Sequence, residues 1–132
     1  MNRRYSTVHA TEIEAYRTVQ KTTMSGREIE ASVLLSAAMR LKQCQDNWNA
    51  RDREMRLDEA LKFNQLIWTI FQGELAKPDN PLPKKLRQDI LSLSAFIDKR
   101  IFTAMSYPSP DKLTVLININ LNIAAGLRET SK

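Results

Sequence analysis

Leu113-Thr114-Val115-Leu116-Ile117-Asn118-Ile119-Asn120-Leu121-Asn122-Ile123-Ala124-Ala125-Gly126-Leu127 is the stretch on which the fold class turns. Residues 117–123 alternate apolar and polar with period two, the mark of a half-buried strand. They are rich in isoleucine and lie between the Pro108/Pro110 cluster and Gly126, which also suits a strand. At helical spacing, however, Leu113, Leu116, Ile117, Asn120, Ala124 and Leu127 share one face, while Asn118 and Asn122 point outwards. A lone strand would find no partner elsewhere in this chain and would leave an open edge. We therefore read the stretch as a helix.

Upstream, apolar residues recur at helical spacing between a few sharp breakers. Lys77-Pro78-Asp79-Asn80-Pro81-Leu82-Pro83 reads as a turn, with Pro83 suited to a first helical position where no N–H is needed. The helix after it, to about Met105, carries a main stripe of Leu86, Ile90, Leu93, Ile97, Ile101 and Ala104. Leu91, Ala95 and Phe102 form a second stripe on roughly the opposite side. The helix before it, from about Asp52 to Ala76, is apolar nearly all round: Leu57, Leu61, Asn64, Trp68, Phe71 and Leu75 share one face, and Phe63, Leu66 and Ile70 extend it. A further helix, to about Trp48, begins at Ser25-Gly26-Arg27-Glu28, which fits a capping box. Its stripe is Val33, Ala37, Leu41, Cys44 and Trp48. A short first helix, about Ala10 to Thr22, has a thin face of Ile13, Tyr16 and Val19. The expected architecture is all-α, a compact bundle of about five helices. Residues 1–9 are expected to be a flexible, loosely held N-terminal segment, 10–128 one helical domain and 129–132 a tail.

Composition narrows the function. The chain has 132 residues, a size suited to one domain, and a net charge of +5. Basic and acidic residues are interspersed, without a block of like charge, which weakens a nucleic-acid reading. Cys44 is the sole cysteine and His9 the sole histidine, which excludes an intramolecular disulfide and multi-cysteine or histidine-pair metal motifs. The glycines at 26, 73 and 126 form no phosphate loop. The acid pairs Glu12/Glu14, Glu28/Glu30 and Asp58/Glu59 show no convergence on a cleft, as general acid–base chemistry requires. Cys44 lies on an apolar stripe and reads as a buried, inert thiol. No catalytic, cofactor or metal residue is assigned. No apolar run is long enough to span a bilayer, and no secretory signal is visible, so a cytoplasmic protein is expected.

Two polar positions stand out. Asn64 and Asn120 each interrupt an apolar helix face, and burying an unpartnered amide costs about 1–3 kcal/mol. They are expected to find hydrogen bonds to each other or to backbone, as a structural clamp between their helices. Lys84, Lys85 and Arg87 crowd a helix start, where the macrodipole disfavours cations, which points weakly to an acidic partner.

The stretch Leu57-Asp58-Glu59-Ala60-Leu61-Lys62-Phe63-Asn64-Gln65-Leu66-Ile67-Trp68, with Glu74-Leu75, Asn80-Pro81-Leu82-Pro83 and Leu86-Arg87, resembles the FlaF family of flagellar biosynthesis regulators. Arg27-Glu28-Ile29-Glu30-Ala31, Asp89-Ile90-Leu91-Ser92-Leu93 and Leu116-Ile117-Asn118-Ile119-Asn120 agree in order and spacing. The resemblance covers roughly residues 10–128. It implies a cytoplasmic, non-enzymatic protein that binds flagellin and acts with the companion regulator FlbT on flagellin synthesis and export. Direct binding of flagellin messenger RNA is the less favoured alternative. Client helices are expected to pack around Trp68, Phe71, Leu91 and Phe102, with Lys84, Lys85 and Arg87 meeting acidic side chains at the rim. No membrane contact is expected.

Overall fold

The computed structural model of the protein describes residues 26–130. Among them are four α-helices and no strand: α1 (Gly26–Asp46), α2 (Arg53–Leu75), α3 (Lys84–Ser106) and α4 (Pro110–Thr130). The ambiguous stretch 113–127 lies wholly inside α4, so the shared face prevails over the alternation. α4 starts at Pro110 itself and runs to Thr130, two residues into the expected tail. The short helix expected at 10–22, the capping Ser25 and the segment 1–9 lie outside the described residues.

The chain makes a ring. Each helix packs on its neighbour in sequence, and α1 closes on α4 in the most extensive contact of all. Small residues are buried on both helices, Ala31, Ala37 and Ala38 on α1 and Ala124 on α4. The pair is antiparallel, because Gln45 at the end of α1 donates both to the Pro110 carbonyl (2.9 Å) and to Thr114 Oγ1 (2.8 Å) at the start of α4. Asp111 in the first turn of α4 and Arg128 in its last complement the helix dipole.

The α2–α3 turn is organised by one side chain. Asn80 Nδ2 donates to the Glu74 carbonyl (3.0 Å), which also accepts the Lys77 N–H (3.3 Å), and its Oδ1 accepts the Leu82 N–H (3.0 Å). Leu82 is thereby held in the core between two prolines. Asp52 precedes α2 but does not cap it; its carboxylate pairs with Arg56 (2.6 Å).

Candidate functional site

α2 and α4 face each other diagonally across the ring, and the two asparagines meet between them. Asn120 Nδ2 donates to Asn64 Oδ1 at 2.6 Å. Asn64 Nδ2 donates to the carbonyls of Ala37 on α1 (3.1 Å) and Ala60 on its own helix (2.9 Å). Asn120 Oδ1 accepts the indole N–H of Trp68 at 2.9 Å. Only one orientation of the amides serves this chain. Carbonyls can only accept and an indole N–H can only donate, so Asn64 must turn its NH2 to α1 and its oxygen to Asn120. Asn120 then has its own oxygen left for Trp68. Among the described residues no buried side-chain nitrogen or oxygen lacks a partner. The expected clamp is present, by direct pairing, and it ties three helices rather than two.

Trp68 belongs to that clamp and not to a docking surface. It has no solvent exposure, and its ring lies 5.6 Å from that of Phe71, which is also buried. The expectation that both receive a client is corrected: their side of α2 faces the centre of the ring, where the indole N–H needs Asn120. Arg87 is likewise partly withdrawn, half-buried with Nη1 donating to the Lys77 carbonyl (3.2 Å) across the α2–α3 turn.

The expected partner-binding residues that remain outside are on α3, while single exposed apolar side chains also occur at Met39, Met55 and Leu121. Ile90, Ser94, Ile97, Ile101 and Ala104 form its buried side. The opposite stripe carries Leu91, half-buried, Ala95, exposed, and Phe102, 71% exposed. Lys84 and Lys85 are exposed at its start, which has no acidic residue in the first turn and no side-chain cap. Two aromatics that sequence reasoning did not single out lie towards the opposite end, near Phe102. Tyr107 is 74% exposed just after α3, and Phe96 is partly exposed on its outer side. Both carry a cation over the ring, Lys112 at 5.5 Å and Arg100 at 4.9 Å. Tyr107 sits in a Pro-rich breaker and follows no helical stripe, so periodicity had no signal for it.

A surface cleft of about 390 Å³ lies between α1 and α2, lined by Arg40, Gln43, Cys44, Arg56, Glu59 and Ala60. Both guanidinium groups there are engaged, Arg56 by Asp52 and Arg40 over the Phe63 ring at 4.0 Å. Burial pushes the Cys44 thiol pKa up; Arg56 opposes this, and Asp52 and Glu59 reinforce it. That is the setting of a structural thiol rather than a nucleophile. Among the described residues no group of acids, histidine and cysteine is arranged to hold a metal, and no helix is long and apolar enough to cross a membrane.

A small all-α bundle with its buried polar side chains paired, and with its most exposed aromatics on and just after one helix, is the class these observations define. Residues 12–127 match the model of the family described as flagellar protein FlaF, and the chain belongs to that family. No curated protein and no solved structure matches the chain.

Proposed function

We propose that this protein is a non-enzymatic adaptor of flagellar assembly that binds flagellin in a chaperone-like manner and thereby couples flagellin synthesis and export to assembly. Membership of a flagellar family supports the setting. The single observation that carries the binding role is Phe102, a large apolar side chain 71% exposed, on the same stripe as half-exposed Leu91. An amphipathic helix of the client would lay its apolar face along that stripe. Buried aromatics at such a contact govern the off-rate, and rim charges the on-rate and its salt dependence.

Calorimetric titration of the purified protein with its cognate flagellin, at low and high salt, tests the reading. Submicromolar affinity that survives high salt is expected of an apolar contact. Absence of binding would shift the direct partner to FlbT. Flagellin binding that collapses steeply with salt would rest on rim charges rather than the apolar stripe, and messenger RNA, like FlbT, becomes the direct partner only where flagellin does not bind.

A further inference from the structure

The lysines of α3 differ from those of α1, α2 and the α2–α3 turn. Lys42, Lys62 and Lys77 each pair with an acid three or four residues away, Asp46 (2.9 Å), Asp58 (2.8 Å) and Glu74 (3.3 Å). Lys84, Lys85 and Lys99 form no ion pair among the described residues, although Asp89 stands four residues after Lys85. The charges of Lys84 and Lys85 add to the positive end of the helix dipole at the start of α3, unrelieved by a capping side chain or a first-turn acid. Lys84 is also in register with the apolar stripe: at about 100° per residue, Lys84, Gln88, Leu91, Ala95 and Phe102 lie along one line of the helix. The line spans about five turns, or about 27 Å. Lys85 and Lys99 flank it on the solvent side. On the other flank Asp98 is directed to α2, where it accepts from Gln72 Nε2 (3.3 Å). The surface therefore has the adjacent pair Lys84 and Lys85 at an uncapped helix start, an apolar middle, and Phe102 and Tyr107 at the far end with the single Lys99 beside the line.

Resting on the client-binding reading above, we infer that α3 selects an amphipathic partner helix with carboxylates clustered at one end and a bulky apolar anchor about five turns away. The carboxylates lie against Lys84 and Lys85, and the anchor packs beside Phe102. The length of the line fits a helix better than a compact ligand, and Leu91 and Ala95 offer a packing surface rather than rings for stacking bases. The partner's acids supply what α1 and α2 supply to their own lysines.

The test uses the full chain and two fluorescein-labelled helical peptides of identical composition. One carries its glutamates at one end with a leucine–phenylalanine anchor at the other; the second carries the glutamates centrally. By fluorescence anisotropy at low salt the end-loaded peptide is expected to bind at least tenfold more tightly. Lys84→Glu/Lys85→Glu should abolish that preference and the salt dependence with it. This pair favours folding, since acids suit a first helical turn, so loss of signal is not loss of structure. Phe102→Glu should weaken both peptides. Equal affinities for the two peptides, or unchanged low-salt binding after the lysine reversal, overturn the inference. So does tighter binding of a single-stranded RNA oligonucleotide through the same residues, or a fall in solution mass on Phe102→Glu, which would make a second copy the occupant. Flagellin as titrant separates the two levels. If it binds wild type and the lysine-reversed variant alike, the inference falls and the client reading stands. If the end-loaded peptide binds and flagellin does not, the client reading falls and the selectivity of α3 stands.

Discussion

Replacing Asn120 by Ala removes more than one hydrogen bond. It deprives the Trp68 indole N–H of its acceptor and Asn64 Oδ1 of its donor, in residues with at most 1% exposure. Each buried group left unpaired costs about 1–3 kcal/mol, so the variant should lose about 2–6 kcal/mol. That is a large part of the 5–15 kcal/mol, roughly, that stabilises a domain of this kind. Asn64→Ala should cost less. The Ala37 and Ala60 carbonyls it abandons are mid-helix and already accept the N–H four residues on, so the principal orphan is the Asn120 amide. In the double variant only the indole N–H is stranded. The pair should therefore be non-additive: two of the three groups stranded in the singles are gone from the double variant, which should be about 2–6 kcal/mol less destabilised than the sum of the singles. Urea denaturation followed by circular dichroism, with the slope of the transition held constant across the four proteins, measures this. Additivity within about 0.5 kcal/mol would refute the direct clamp, as would a larger loss for Asn64→Ala than for Asn120→Ala.

Further expectations concern other parts of the bundle. Gly73→Ala in the last turns of α2 meets nothing within 4 Å and should raise stability by about 0.5–1 kcal/mol, seen as a higher Tm. A lower Tm would mean that this position needs the missing side chain. Cys44 should react with Ellman's reagent far more slowly in the folded chain than in urea, since burial holds the thiol protonated. The unfolded chain loses that proton first, so the contribution of the thiol to stability is complete below the free-thiol pKa and is lost as pH rises through the folded one. A constant unfolding midpoint from pH 7 to 10.5 would contradict that linkage. Ala38→Leu at a fully buried position of α1 should cost about 1–3 kcal/mol by overpacking, read as a lower urea midpoint.

How far the sequence could be read depends on what each signal reports. The helical nature of α4 was legible because its shared face outweighs a coincidental alternation, and because no strand partner exists. Asn64 and Asn120 were legible as a clamp because an amide on an apolar face must be satisfied somewhere. Trp68 was not legible as their third member. α2 is apolar nearly all round, and such a helix does not reveal which side its neighbours cover; the partner of the indole lies 52 residues away in sequence. The exposure of Phe102 was not legible, since a second apolar stripe suits a further helix of the same bundle as well as a partner. Arg87 looked equivalent to Lys84 and Lys85, but its longer arm reaches back to a carbonyl of the preceding turn. The unpaired state of the α3 lysines had no sequence signal, since Lys85 and Asp89 have the spacing of an ion pair and do not form one.

The most direct test of client binding is the affinity of flagellin for the Phe102→Glu variant, measured beside wild type at high salt, with the unfolding transition of each recorded. Phe102 is 71% exposed, so the substitution should leave stability within about 0.5 kcal/mol while reducing flagellin affinity at least tenfold. Equal affinity in the two proteins, with both fully folded, would show that flagellin does not dock on α3.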